Sequence, residues 1–287
     1  MDLLEKNLRE HVRVLSSEIG ERNMDRYENL QAAGHYIVET LRGLGYSVEF
    51  QPYLVEGKEV RNLIATHPAR RLSEETIIVG AHYDSIVGSP GADDNASGVS
   101  GLLELARLFS RGPNSKTLKF IAFTNEEPPY FQTREMGSRV YARWAKEQGE
   151  KIVAMICLEM IGYYRDWNGS QQYPPGLGFF YSDTGNFISI VGHLRYRGLL
   201  RKIKVAFQEH STLPVESIAG IGLIPGVDFS DHASFWREGF PAVMITDTAF
   251  YRNPHYHSVS DTLETLDYRR MAEVVKGLYH VLISLDQ

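Results

Sequence analysis

The sequence predicts a single α/β domain in which a central mixed, mostly parallel sheet is flanked by helices. Its 287 residues, 43% hydrophobic and 23% charged, have a globular composition that can build one large core. Short apolar runs alternate with amphipathic segments, which indicates strands covered by helices on both faces. Neither an internal repeat nor a shift in composition marks a boundary, so we expect one domain over residues 1–287.

The first elements are two helices followed by three strands. Apolar residues at helical spacing from Leu3 to Leu15 predict the first helix, and Leu30–Leu41 the second, which ends before glycines 43 and 45. The third strand, TIIVGA, is a continuous apolar run, as is typical of a strand buried on both faces. The strands are predicted at residues 46–50, 60–66 and 76–81.

Helices and strands alternate through the rest of the chain. An apolar stripe predicts a helix over Ser97–Phe109. The elements predicted after it are a strand at 118–124, a helix at 136–146, a strand at 152–158, a helix at 187–200, a strand at 242–246 and a helix at 268–285. The polar stretches 162–178 and 208–231 are too long for simple turns, so we expect them to form walls over one edge of the sheet.

Charge and cysteine content exclude several classes of protein. Thirty basic and 36 acidic side chains give a net charge of −6, which argues against a protein that coats nucleic acid. The single cysteine, Cys157, excludes an intrachain disulfide and a cysteine-rich zinc knuckle. No apolar run approaches the ~20 residues of a membrane span. The first thirty residues contain no signal-peptide core, so we expect a cytoplasmic protein or the mature form of an exported one.

Polar and charged side chains follow four of the predicted strands. Because the carboxyl ends of strands form the ligand-binding edge of an α/β sheet, we expect these side chains to lie together. Singly, each has an ordinary explanation; Asp94, for example, suits a helix N-cap. In chain order the candidates are His82, Asp84, Asp94, Glu126, Glu127, Glu159 and His257.

Together, these donors indicate a metal centre. Imidazole and carboxylate ligands without thiolates suit Zn²⁺, or alternatively Mn²⁺ or Co²⁺. Two metal ions need one shared carboxylate and two further ligands each, and five side chains fill that requirement. His255 is an alternative to His257, but the spacing to Ser258 and Asp261 favours His257.

The motifs HYDS, GADDNASG, NEE, LEMIG and HYHSVSDT occur in this order within residues 60–265. This series resembles the M28 family of zinc aminopeptidases and carboxypeptidases. The resemblance implies the zinc-exopeptidase (phosphorylase/hydrolase-like) architecture, two zinc ions per chain and peptide substrates, with no nucleic acid partner and no membrane span.

The resemblance also implies a role for each candidate residue. It makes Asp94 the ligand that bridges the two zinc ions, which share a hydroxide as the nucleophile. The other ligands would be His82 and Glu159 for one ion and Glu127 and His257 for the other. The remaining roles would be general base and acid for Glu126, orientation of the His82 imidazole for Asp84, and polarisation of the scissile carbonyl for Tyr256.

Two features differ from the family pattern. Glu159 stands where many members have aspartate, which leaves a ligand of longer reach. Residues 128–136 intervene between the glutamate pair and Gly137-Ser138, so we expect an altered pocket mouth there.

We therefore expect an aminopeptidase that hydrolyses the N-terminal peptide bond. The alternatives are a carboxypeptidase, a glutaminyl cyclase with one zinc ion, or a non-catalytic binding domain of the same fold. Neither Gly-x-Ser-x-Gly nor His-Glu-x-x-His occurs, which argues against a serine hydrolase and a gluzincin. The oligomeric state is not predicted.

Overall fold

An eight-stranded mixed sheet lies at the centre of the computed structural model, which describes residues 2–70, 73–112, 114–220 and 224–287. The strands are β1 (Val48–Val55), β2 (Lys58–His67), β3 (Glu75–His82), β4 (Thr117–Phe123), β5 (Lys151–Leu158), β6 (Ile188–His193), β7 (Val215–Gly220) and β8 (Ala242–Thr246). The α-helices within the described residues are α1 (Leu3–Arg13), α2 (Tyr27–Gly43), α3 (Gly98–Phe109), α4 (Gly137–Glu147), α5 (Arg197–His210), α6 (His232–Glu238) and α7 (Tyr268–Asp286). The predicted α/β class is confirmed.

The strand order is β1-β2-β4-β3-β5-β8-β6-β7. The central strands β4, β3, β5 and β8 run parallel, so their carboxyl ends meet at one edge of the sheet. The pairs β1–β2, β2–β4 and β6–β8 are antiparallel, and β7 is parallel to β6. β3 is buried from Thr76 to His82, as its continuous apolar sequence predicts.

Apolar side chains pack on both faces of this sheet. One core cluster joins α1, α2, α3, α5 and α7 to one face, and a second joins α4 and α6 to the other. Among the described residues, none of the helices is both long enough and apolar enough to cross a bilayer.

The predicted helix at 187–200 is wrong in its first half. The β-branched residues Ile188, Ile190 and Val191 belong to strand β6, which pairs with β8 and β7, and helix α5 begins only at Arg197. Pairing on both sides of β6 outweighs the helical spacing of its apolar residues. The stretch 208–231, expected to be a wall loop, contains strand β7; its residues 221–223 lie outside the described residues.

A buried arginine fastens the N-terminal segment to the loops that follow β3. Arg22 is fully buried, and its guanidinium donates hydrogen bonds to five backbone carbonyls. The acceptors are the carbonyls of Leu15, Gly20, Tyr83, Pro90 and Gly91, at 2.6–3.4 Å. Burial lowers the pKa of Arg22 to about 10, and nearby carboxylates oppose that shift, so the side chain stays charged at neutral pH.

We expect Arg22→Met to lower the free energy of unfolding by about 3–5 kcal/mol, because buried carbonyls lose their donor. Urea unfolding followed by circular dichroism measures the change. The matched control is Arg42→Met, which removes an exposed arginine paired with Glu39 and is expected to cost less than about 0.5 kcal/mol. Equal losses in the two variants would contradict this role for Arg22.

Candidate metal centre

The candidate ligands lie at the carboxyl edge of the parallel strands. His82 is the last residue of β3, Glu127 follows β4 and Glu159 follows β5. Asp94 lies at a kink in the segment Ala92–Ser97 before α3, and His257 lies in the loop after β8. The strand order places these segments side by side, as the ligand-edge rule predicts.

Asp94 lies between two groups of potential ligands. Its Oδ1 is 3.4 Å from Nε2 of His82, which is 3.3 Å from Oε2 of Glu159. Its Oδ2 is 3.3 Å from Nε2 of His257, which is 3.2 Å from Oε2 of Glu127. Each oxygen of the Asp94 carboxylate therefore faces a different pair of side chains.

Both groups fit a zinc ion. In each, one donor atom per residue lies within 4.8 Å of the others, and all five side chains are buried or half-buried. Ligands about 2.0–2.1 Å from a tetrahedral zinc ion are about 3.3 Å apart, close to the separations observed here. Both ring nitrogens of His82 and Oε1 of Glu127 are buried without a hydrogen-bond partner in the described part of the chain. Buried polar atoms without partners are costly, and metal ligation is one way to satisfy them.

Asn95, rather than Asp94, accepts a hydrogen bond from the first residue of helix α3 and another from the segment after β5. Oδ1 of Asn95 accepts hydrogen bonds from the backbone N–H of Gly98 at 3.0 Å and of Met160 at 3.1 Å. The Asp94 carboxylate is thereby left to face His82 and His257.

Two other aspartates fix the backbone next to the candidate ligands. The Asp84 carboxylate accepts hydrogen bonds from the backbone N–H of Glu126 at 3.2 Å and of Glu127 at 3.1 Å. Oδ1 of Asp84 is 3.6 Å from Nδ1 of His82, longer than a hydrogen bond, so its role in orienting that ring stays a prediction. Asp261 likewise accepts from the backbone N–H of Asp93 and Asp94 at 2.9 and 3.1 Å.

The hydroxyl of Ser230 contacts a candidate ligand, and the sequence did not reveal this contact. Its hydroxyl donates a 2.6 Å hydrogen bond to Oε2 of Glu159, which lies 71 positions earlier in the chain. Sγ of Cys157 is 3.2 Å from the oxygen of that hydroxyl, and the Cys157 side chain is buried. Ser230 directly precedes Asp231 and His232, but nothing in the spacing links it to Glu159.

Glu126 is buried at the centre but belongs to neither group of ligands. Oε2 of Glu126 is 3.9 Å from Nε2 of His82. Burial raises the pKa of Glu126 well above its usual range; the Glu159 and Glu127 carboxylates raise it further, and His82 opposes the shift. The Glu126 carboxyl group therefore lies beside the candidate ligands without belonging to either group.

Tyr256 and His255 flank His257 differently. The ring of Tyr256 stacks on that of His257, with centroids 3.7 Å apart and an interplanar angle of 17°. Nδ1 of His255 is instead 2.8 Å from Oγ of Ser260, and His255 belongs to neither ligand group.

A cavity of about 840 Å³, open to solvent, adjoins this centre. Glu159 and Tyr256 lie on its wall, with residues of β6, β7 and β8 and of the segments 171–181 and 224–229. Segment 128–136 is absent from the described lining residues, but Phe131 packs against the lining residue Phe229, with ring centroids 5.8 Å apart. Whether segment 128–136 shapes the pocket mouth stays a prediction.

Comparison with known proteins places the chain among peptidase sequences. The model of "Peptidase family M28" matches residues 62–282. Escherichia coli "Uncharacterized protein YfbL" is 42% identical over 97% of this chain and 88% of its own length. "Probable leucine aminopeptidase" of Trichophyton verrucosum is 33% identical over 75% of this chain, which spans only 54% of that protein.

Solved structures share the fold at low sequence identity. BSAP, a zinc aminopeptidase from Bacillus subtilis, is 15% identical with a TM-score of 0.78, and the match covers 98% of this chain and 95% of that one. A Fimbriiglobus ruber glutaminyl cyclase is 20% identical with a TM-score of 0.73, and covers 98% and 95%. At these identities the likeness concerns the fold alone.

Proposed function

The chain belongs to peptidase family M28, and we propose that it is an aminopeptidase that binds two zinc ions and removes the N-terminal residue of peptides. The observation that carries the proposal is the position of Asp94, whose two oxygens face two separate groups of ligands. The proposed ligands of one ion are His82, Asp94 and Glu159, and those of the other are Asp94, Glu127 and His257.

The chemistry that zinc supplies when bound is polarisation of a carbonyl group and a lowered pKa for a water molecule. Glu126 performs the proton transfers: its carboxylate accepts a proton from the attacking water and returns it to the leaving nitrogen. Asp84 supports this division of roles, since it fixes the backbone N–H groups of both Glu126 and Glu127. The proposed role of Tyr256 is to donate a hydrogen bond to the scissile carbonyl oxygen.

The charges around the cavity favour an aminopeptidase over a carboxypeptidase. Among the described residues that line it there is no lysine or arginine to bind a terminal carboxylate. Arg252, a basic residue near the wall, is buried and donates to Gln171 and to the carbonyls of Tyr163 and Phe187. The carboxylates of the centre, with Glu159 on the cavity wall, instead give this end of the cavity a negative charge that attracts the α-ammonium group of a substrate.

A glutaminyl cyclase shares this fold, and the cyclase alternative requires a single zinc ion. Here both ligand groups are complete, and the unligated Glu126 lies beside them. These features support hydrolysis rather than cyclisation.

The deciding experiment combines metal analysis with a matched set of peptides. The set contains a free peptide, its N-acetylated form, its C-amidated form and a peptide with N-terminal glutamine. We expect two zinc ions per chain, cleavage of the free and amidated peptides, and no cleavage of the acetylated one. A requirement for the free carboxylate, cyclisation of glutamine with one zinc ion, or no turnover by the zinc-loaded protein would each overturn the proposal.

A further inference from the structure

One row of polar side chains crosses the sheet beneath the cavity. In the strand registers, Glu216 of β7 pairs with Ser189 of β6, which pairs with Thr246 of β8. Glu159 follows Leu158, which pairs with Ile245, so Glu159 lies next to Thr246 in the same row. Residues opposite one another on neighbouring strands share a face, and all four members of the row line the cavity.

The row has a carboxylate at each end. Glu159 lies at the candidate metal centre, and Glu216 lies at the far wall, on the edge strand. Three strand spacings separate the two backbones, a distance of about 14 Å. Between the carboxylates are only the hydroxyl groups of Ser189 and Thr246.

The rest of the cavity surface is mainly apolar. The next residues along the same face are Ile218, Val191 and Met244, two positions further on their strands. The other large side chains on the wall include Tyr173, Leu177, Tyr181, Phe187, Val227 and Phe229. A long aliphatic side chain of a substrate can therefore pack against apolar residues between Glu159 and Glu216.

We propose that the cavity selects peptides whose N-terminal residue is lysine or arginine, and that the Glu216 carboxylate binds the cation of that side chain. The inference rests on the proposed aminopeptidase function. With the α-ammonium group near Glu159, the flexible stem of the side chain lies over the apolar surface and carries its charge to Glu216. Branched apolar residues fill part of the same space but bring no cation to Glu216.

A neighbouring lysine, Lys204, lies near Glu216 but beyond hydrogen-bond distance of its carboxylate. Nζ of Lys204 on α5 is 3.8 Å from Oε2 of Glu216, and both side chains are partly exposed. A pair at that distance and exposure contributes little, and Lys204 does not line the cavity. The Glu216 carboxylate is thus still able to accept hydrogen bonds from a substrate. The positive charge of Lys204 weakens its attraction for a second cation.

The test compares aminoacyl p-nitroanilides of lysine, arginine and norleucine with the zinc-loaded full chain. Norleucine has the same four-carbon stem as lysine without the ammonium group. We expect kcat/KM for lysine to exceed that for norleucine about two- to fivefold, the size of one partly exposed charge pair. Glu216→Gln is expected to bring this ratio close to one, and Lys204→Gln to raise it. The matched control Glu209→Gln removes an exposed glutamate of α5 outside the cavity and is expected to leave the ratio unchanged.

The outcomes separate this inference from the function on which it rests. Hydrolysis of norleucine as fast as lysine, or an unchanged ratio in Glu216→Gln, overturns the role of Glu216 and leaves the aminopeptidase proposal intact. No hydrolysis of any of the three substrates overturns the inference, and the peptide set described above then decides whether the aminopeptidase proposal stands.

Discussion

Glu126→Gln is expected to reduce kcat for peptide hydrolysis by about 10²–10⁴-fold while the zinc content stays at that of the parent protein. Glutamine has nearly the same shape, but its amide does not accept a proton from water. Glu126 lies outside both ligand groups, so its replacement leaves the proposed metal ligands in place. Steady-state kinetics together with metal analysis by mass spectrometry measures the two effects separately.

The control for this variant is Glu147→Gln, which changes an exposed glutamate at the end of α4. It is expected to have the activity and the metal content of the parent. Full activity in Glu126→Gln would remove Glu126 from proton transfer. Loss of zinc in that variant would make Glu126 a ligand instead.

Asp94→Ala is expected to abolish the binding of both zinc ions and to lower activity by several orders of magnitude. The reason is that Asp94 is the one residue common to the two ligand groups. Glu159→Ala provides the informative comparison, because Glu159 belongs to one group only and its loss is expected to affect one ion. Metal stoichiometry after exhaustive dialysis, with circular dichroism to verify folding, distinguishes the two variants.

Asp25→Ala serves as the control for that experiment, since Asp25 is exposed and lies in neither ligand group. Two zinc ions retained by Asp94→Ala would refute the bridging role. Loss of one ion by Asp94→Ala and of both by Glu159→Ala would exchange the roles assigned to these residues.

Much of the site was predictable because it depends on backbone topology. A continuous apolar run such as TIIVGA has few alternatives to a buried strand, and the residue after such a strand lies at the ligand edge. This reasoning places His82 and Glu159 at the same edge of the sheet, where the structure also has them.

The parts that were missed depend on contacts that no short pattern encodes. The strand β6 has apolar residues at both helical and strand spacing, and only its pairing with β7 and β8 decides between the two. The hydrogen bond from Ser230 to Glu159 and three of the five bonds of Arg22 join positions that are far apart in the chain. The orientation of the Asp94 carboxylate depends on side-chain torsions, which the sequence does not reveal.

The environment of Arg22 limits how far this protein can be shortened. The match to the family begins at residue 62, so a boundary drawn there would delete α1, α2 and β1. The guanidinium that fixes the chain at Tyr83, Pro90 and Gly91, which all lie between His82 and Asp94, would be deleted with them. We therefore expect the smallest unit with the proposed activity to begin well before the candidate ligands, and a fusion or transplanted version of this centre to need the N-terminal helices.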